Sequence, residues 1–253
     1  MVTQAAIKRI TALKVKKYRQ KYRKFTAEGE KIVRELLEMA HKWPIEAVYG
    51  LPAWAESHAA LLEAARVPFM GVSEGELGKL SAFATPNKVL AVVDMPEPAS
   101  VEAPLKGFAF FLDGIQDPAN LGAIWRVADW FGMPALYASP DTVDAWNPKC
   151  IQASMGAFLR IPYREVALDE VLKTNQGFPV LGAVMRGASL YDAELPERGL
   201  IVIGQEGRGV SEGALRRIDH PVTIPRGPGG GAESLNAAVA AGIFAAMLHA
   251  RKT

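Results

Sequence analysis

Cysteine is nearly missing from this chain. Of its 253 residues, Cys150 is the one thiol, so no intramolecular disulfide can form and no thiolate cluster can hold zinc. The four histidines (His41, His58, His220 and His249) are scattered without metal-ligand spacing, and no metal is expected. Long apolar runs are missing too. The nearest candidate, Ala237 to Leu248, falls short of the roughly 18 residues that a membrane span needs, so no membrane is expected as a partner. The basic N-terminus is not followed by the apolar core of a secretion signal. These absences together point to a reducing, cytoplasmic setting. Two motif strings are also absent: the phosphate loop G-x-x-x-x-G-K-[ST] and the serine elbow G-x-S-x-G.

What is present is ordinary in bulk. An apolar share of 49% with 22% charged residues fits a globular chain with a sizeable core. The net charge is only +2, but it is unevenly spread. Residues 1–24 contain Lys8, Arg9, Lys14, Lys16, Lys17, Arg19, Lys21, Arg23 and Lys24 and no acid. Such a block suits a polyanion through counterion release. It suits a solvated helix face equally well. Tyr18, Tyr22 and Phe25 lie among the charges and can either stack on bases or anchor the segment to its own domain.

The chain reads as alternating helices and strands. The pattern predicts a basic helix over residues 5–24, a helix over Thr26 to Ala40, a strand over Ile45 to Tyr49 and a helix over Ala53 to Ala65. A short strand over Phe69 to Val72, a capped helix over residues 73–80 and an apolar strand over Lys88 to Asp94 follow. This argues a small α/β domain over residues 1–95. Met95 to Pro104 carries three prolines and no periodicity, so residues 96–106 read as a linker. In residues 107–253, strands are expected at Gly107–Leu112, Ala135–Ala138, Tyr163–Val166, Pro179–Val184, Leu200–Gly204 and Val222–Arg226. Helices between them predict a mostly parallel sheet. Ligands of such sheets sit at the carboxyl ends of the strands. The loops after Leu112, Val184, Ile203 and Pro225 are therefore the candidates.

Two of these loops are dense in glycine: Gly204-Gln-Glu-Gly-Arg-Gly209 and Gly227-Pro-Gly-Gly-Gly231. Glycine permits φ > 0 and close approach of a ligand to the backbone. The second loop follows a strand and precedes a helix, as a dinucleotide fingerprint would. The helix after it is Ala-rich and nearly free of acids, and the fingerprint requires an acid about 20 residues on.

The stretch Asp113-Gly-Ile-Gln-Asp-Pro-Ala-Asn-Leu-Gly-Ala-Ile-Trp-Arg126 resembles motif 1 of the SpoU/TrmH class of SPOUT methyltransferases, with its N-x-G-x-x-x-R core at Asn120, Gly122 and Arg126. Ile201 to Val210 resembles motif 2. Ile224-Pro225 with Glu233-Ser-Leu-Asn-Ala-Ala-Val-Ala240 resembles motif 3. The basic start and Phe25-Thr-Ala-Glu-Gly-Glu30 resemble the class's N-terminal RNA-binding module. The resemblance implies an α/β fold whose C-terminal, mostly parallel sheet is tied into a deep trefoil knot. It implies a homodimer that binds S-adenosylmethionine and methylates a ribose 2′-hydroxyl of structured RNA, ribosomal or transfer.

The same resemblance assigns Asn120, Arg126, Glu206, Ser234 and Asn236 to catalysis, and Gly204, Gly209, Ile224 and Leu235 to cofactor binding. Each residue also has a plainer reading. Asn120 and Ser234 can be simple helix caps. Arg126 can be a surface charge and Glu206 an exposed loop carboxylate. Guanidinium is a poor base, because it holds its proton far above neutral pH, so positioning the RNA and stabilising an alkoxide suits Arg126 equally. Two departures stand out: Gln205 where Asn or Ser is usual, and Arg226 in place of Met before a lengthened glycine turn. The competing functional class is a non-catalytic RNA-binding protein that keeps the knotted fold.

Overall fold

The computed structural model describes residues 2–98 and 105–250. Most of the expected linker, residues 99–104, lies outside them, as does Arg251 at the expected end of the last helix. The described chain divides into two compact units. One joins the first 97 residues to Asp144–Leu159, and the other comprises Pro98–Val143 and the rest from Arg160. Asp144–Leu159, drawn from the middle of the second half of the sequence, thus packs with the first unit.

The first unit runs α1 (Gln4–Ala12), α2 (Lys16–Tyr22), β1 (Lys24–Glu28), α3 (Glu30–Glu38), β2 (Ile45–Gly50), α4 (Pro52–Ser57), α5 (Ala59–Ala65), β3 (Phe69–Gly71), α6 (Glu74–Leu80) and β4 (Val89–Asp94). Its sheet order is β1-β4-β2-β3, with β4 antiparallel to both neighbours and β2 parallel to β3. Three sequence expectations need correction, the simplest being the single helix over Ala53 to Ala65, which is broken at His58 into α4 and α5. The helix expected over Thr26 to Ala40 is a strand followed by a helix, split at Gly29 with φ 105°. That positive φ suits glycine and interrupts any helix there. The single basic helix over residues 5–24 is two helices, separated at Leu13–Val15. Arg19 explains the second break. It is 2% exposed, donates from Nη1 to the Leu13 carbonyl at 2.7 Å, and pairs with Asp144 through Nε at 2.9 Å.

The first unit's aromatic core gathers Phe25, Trp43, Trp146 and Phe158, with Phe25 and Trp146 ring centroids 4.8 Å apart. Phe25 therefore anchors its own unit. Burying side chains of this size stabilises by about 1.5–3 kcal/mol each. Complete burial pushes the Cys150 thiol well above its ordinary pKa, with the Asp144 charge adding to the effect. It is a packing residue rather than a nucleophile.

The second unit runs β5 (Phe108–Asp113), α7 (Pro118–Trp130) and β6 (Leu136–Ala138). Helix α8 (Pro148–Ser154), which packs in the first unit, interrupts it. Then come β7 (Tyr163–Glu165), α9 (Leu168–Thr174), β8 (Val180–Ser189), β9 (Gly199–Gly204), α10 (Glu212–Leu215), β10 (His220–Thr223) and α11 (Ala237–Ala250). The sheet order is β10-β8-β9-β5-β6-β7, and every neighbouring pair is parallel. β5 is buried along its whole length and β9 up to Ile203. Phe111, Leu200 and Val202 pack into one core with Val180 and Val210. The register sets Asp113 beside Gly204, which brings motifs 1 and 2 to one point on the carboxyl edge. α11 packs on α7 and β9. Among the described residues, no helix is long and apolar enough to cross a membrane, and no group of His, Cys, Asp and Glu could hold a metal.

Candidate active site

The site begins where β5 gives way to α7. The Asp117 side chain caps α7 by accepting from the Ala119 N–H at 2.8 Å, and Pro118 fills the first turn. Pro at that position has no N–H to leave unsatisfied. Asn120 is therefore not the cap of α7. It lies in the first turn and is buried. The loop before α7 is pinned by Gln116, whose Nε2 donates to the carbonyls of Gly114 at 2.9 Å and Asp141 at 2.8 Å. The Gly114 N–H donates to Ser139 Oγ at 2.9 Å.

The Glu206 carboxylate comes from the turn after β9. Gln205 and Gly209 exchange two backbone hydrogen bonds, at 3.1 and 2.8 Å, and close a tight turn around Glu206-Gly207-Arg208. Gly204 is forced by this closure. A Cβ on it would lie 2.3 Å from the Gly209 carbonyl carbon and 2.4 Å from the Val210 nitrogen. Gly209 takes φ 71°, the left-handed region. The Asp113 carboxylate then accepts the Ser211 N–H at 2.6 Å, locking the far side of the turn to β5.

The third group arrives with α11. Asn236 Oδ1 accepts the N–H groups of Ala238 at 2.9 Å and Val239 at 3.2 Å. Asn236 is thus the N-cap of α11, which corrects the reading of Ser234 as the cap. Ser234 is exposed, two residues ahead of that cap.

These pieces converge on Asn120. Its Nδ2 donates to Glu206 Oε1, and its Oδ1 accepts from Asn236 Nδ2 at 2.9 Å. The partners lie 86 and 116 residues away in sequence. Both ends of the Asn120 amide are engaged, so its orientation is fixed. Asn236 is fixed in the same way, its oxygen capping the helix and its nitrogen bonding Asn120. One Glu206 oxygen is held in this chain. The other remains an acceptor at the carboxyl edge of the sheet.

Arg126 stands apart from this cluster. It is exposed on α7, six residues past Asn120 and so on another face of the helix. Ile224, just after β10, is half-buried, and Leu235 is 45% exposed. The turn between them is held by a Gly230 N–H to Gly227 carbonyl bond at 3.1 Å and by Arg226 Nη2 donating to the Glu233 carbonyl at 3.3 Å. Two cavities open elsewhere. The larger, about 550 Å³, lies at the amino ends of β8 and β10 beside Arg216 and His220, and the smaller lies by Gly107 and Pro134. Both are at the edge opposite the Asn120 cluster. The convergent polar groups are a better guide to chemistry here than cavity size. Sequence reading missed Asp113 and Gln116 as supports. The signal available for them was only their place in the loop after an apolar strand.

A sequence model of the SpoU rRNA methylase family matches residues 107–246, and one of the MRM3-like substrate binding domain matches residues 4–91. The chain is 31% identical over 239 residues to the 23S rRNA (guanosine(2553)-2′-O)-methyltransferase RlmP of Bacillus subtilis, covering 92% of this chain and 91% of that protein. A structure from Porphyromonas gingivalis, described as an RNA methyltransferase of the TrmH family, superposes with TM-score 0.85 at 33% identity, covering 99% of each chain. An rRNA methyltransferase from Sinorhizobium meliloti with AdoMet bound superposes with TM-score 0.87 over 100% of this chain and 97% of that one. At 24% identity that last likeness is one of fold.

Proposed function

The chain belongs to the SpoU rRNA methylase family, and we propose that it methylates a ribose 2′-hydroxyl of structured RNA with S-adenosylmethionine as donor. Ribosomal RNA is the first substrate to test, because RlmP acts on 23S rRNA. The observation that carries this reading is the Asn120 hub, which gathers one residue from each of three separated motifs. A protein retained only for RNA binding would have no need of so closely tied a carboxylate and two amides at the carboxyl edge.

The residues fit the donor. Ile224 and Leu235 offer apolar surface next to the turn after β10. Gly209, Gly227 and Gly231 each leave open space where a Cβ would stand, so a ligand can reach their backbone groups. Gly204 serves the same loop by allowing it to close. When bound, S-adenosylmethionine supplies a methyl group already activated on a sulfonium, ready for attack by the 2′-oxygen. The chain's own residues then have two tasks. Glu206, held by Asn120, accepts a hydrogen bond from the 2′-hydroxyl, orients its lone pair and passes the released proton to water. Arg126 binds a phosphate near the target ribose or steadies the developing negative charge on the 2′-oxygen. Ser234 lies close enough in sequence to the Asn236 cap to contact the same ribose or the donor.

The first unit, matched as a substrate binding domain, is assigned to RNA recognition, with residues 1–95 and 107–253 as the two domains along the sequence. The route from β10 to α11, which packs on α7 and β9, supports the trefoil knot, and the family resemblance supports a homodimer acting in the cytoplasm without a metal. Calorimetry with S-adenosylmethionine, followed by methyl transfer to unmodified rRNA and mapping of the modified ribose, tests the reading. Tight donor binding and one 2′-O-methyl site are expected. Donor binding without transfer to any RNA would favour a non-catalytic role, and no donor binding would end the proposal. Arg126→Ala is expected to lower kcat/KM at least 100-fold, and full activity would remove Arg126 from the mechanism.

A further inference from the structure

Several arginines in this protein carry carboxylate partners. Arg9 pairs with Glu46, Arg19 with Asp144, Arg23 with Glu97, Arg160 with Asp129 and Arg217 with Asp169. Three arginines at the carboxyl edge of the second unit's sheet do not. The side chains of Arg186 and Arg208 are exposed and make no hydrogen bond or ion pair among the described residues. Arg226 is exposed and is held only through Nη2, by the Glu233 carbonyl. They leave three neighbouring strands in the order β10-β8-β9. Arg226 follows β10, Arg186 lies in the outer half of β8, and Arg208 sits in the Gln205–Gly209 turn after β9, two residues from Glu206.

The outer half of β8 is itself unusual. The strand runs on to Ser189, well past Val184 where the sequence suggests it should stop, and residues 185–188 are exposed. Its pairing with β10 is interrupted between Pro221 and Val222, then resumes at Val222↔Ala188. This displaced stretch carries Met185, 65% exposed, and leads to Tyr191, 51% exposed. Guanidinium forks together with exposed aromatic and thioether surface suit a nucleic-acid strand, the forks for phosphates and the flat surface for bases. Three adjacent strands span about 10 Å, so the three forks can lie within reach of neighbouring phosphates of one nucleic-acid strand.

We propose that Arg186, Arg208 and Arg226 form a phosphate clamp that holds the RNA strand on both sides of the target nucleotide, with Tyr191 offering a stacking face. The clamp rests on the methyltransferase reading for its substrate. Its function is to fix the ribose over Glu206 while the N-terminal unit selects the RNA. Arg226, which departs from the family's usual Met, is its most distinctive member.

The test is the triple variant R186Q/R208Q/R226Q, measured for RNA affinity across salt concentrations without the donor, for S-adenosylmethionine affinity, and for methyl transfer. The expected result is a KM for RNA raised at least tenfold, kcat at saturating RNA within about twofold, and donor affinity unchanged in the double variant R186Q/R208Q, which keeps the Arg226 contact of the glycine turn. The slope of log K against log[salt] should shrink by about 2, since each lost single-strand phosphate contact contributes roughly 0.7. Unchanged RNA affinity and salt slope would overturn the clamp. So would a loss of donor affinity with RNA binding intact, which would assign the arginines to the donor carboxylate. A loss of RNA affinity that only tracks dissociation of an oligomer in sedimentation would assign them to a subunit interface. R208Q alone, on an exposed turn, should give about one third of the slope change and guards against a folding defect in the triple variant. Because RNA binding is read without the donor, a wild-type protein that fails to methylate would refute the enzymatic reading and leave the clamp measurement standing.

Discussion

The Gln205–Gly209 turn and the Gly227–Gly231 turn each follow a strand of the same parallel sheet, and in sequence each is a cluster of glycines. Structurally they are opposites. The first is closed by paired backbone bonds, wedged against Gly204 and locked to β5 through Asp113. It holds Glu206 against Asn120. The second is exposed along its length and held by one internal backbone bond and one arginine contact. The closed turn is preorganised for chemistry, where a fixed dipole or carboxylate needs no rearrangement at the moment of reaction. The open turn has the freedom to close over a ligand. Glycine content alone does not distinguish these two uses. The hydrogen bonds around each turn do.

The sharpest way to break this comparison is to remove the hub on which the closed turn depends. Asn120→Ala leaves Glu206 and Asn236 without their shared partner. Methyl transfer is expected to fall by about 10²–10³, the range found when one preorganised polar group is lost from an active site. Donor affinity measured by calorimetry should fall far less, because Asn120 reaches the cofactor loop only at its end, through Asn236. An equal loss of both would mean that the hub builds the open turn as well.

Next in size is the backbone of the closed turn. Gly204→Ala puts a Cβ into the Gly209–Val210 backbone, and backbone cannot yield as a flexible side chain can. The expected cost is about 1–3 kcal/mol, read as a fall in Tm of roughly 5 °C. A variant with unchanged Tm would show that the turn is looser than its hydrogen bonds indicate.

Much of the fold was legible from periodicity, and the exceptions have physical reasons. Strands β5 and β9 are continuous apolar runs because both their faces are buried, and α6 announced itself through Ser73 and Glu76, which form a capping box. β1 was hidden inside a helical pattern. Its Thr26 and Glu28 are buried, and Glu28 is satisfied by Ser81 Oγ at 2.7 Å and the Ala82 N–H at 2.7 Å. Such partners over fifty residues away leave no trace in local spacing. The same holds for Arg19, whose buried pairing with Asp144 belongs to tertiary structure. The basic block itself divides in the structure: Arg9, Arg19, Arg23 and Lys24 are paired, while Lys8, Lys16, Lys17 and Lys21 are exposed. For the site, the motif residues could be named from the sequence, but the bonds of Asn120 to Glu206 and Asn236 depend on how the three motifs meet in space.

A smaller effect separates two neighbours at the end of the open turn. Asn236→Ala removes the α11 cap and should cost about 1 kcal/mol, seen as a drop in Tm of roughly 2–4 °C. Ser234→Ala removes no cap and should leave Tm unchanged. If Ser234 instead contacts the ribose or the donor, its loss will appear in kinetics only. Equal Tm losses for the two would mean that the helix begins earlier than the Asn236 bonds to Ala238 and Val239 indicate.

The smallest expected effect is also the most direct control on the contrast between the turns. Gly207 and Gly231 both have open space where a Cβ would stand, and neither has a positive φ. Gly207→Ala and Gly231→Ala should each change stability by less than about 0.5 kcal/mol, as surface substitutions usually do. Their kinetics should differ. Gly207 borders Glu206 in a turn that is already closed, so alanine there should alter RNA methylation little unless the substrate approaches that backbone. Gly231 lies in the turn proposed to accommodate the donor, so alanine there should raise the S-adenosylmethionine Kd while kcat at saturation holds. The reverse pattern, with donor affinity lost at Gly207 and kept at Gly231, would exchange the roles assigned to the two turns.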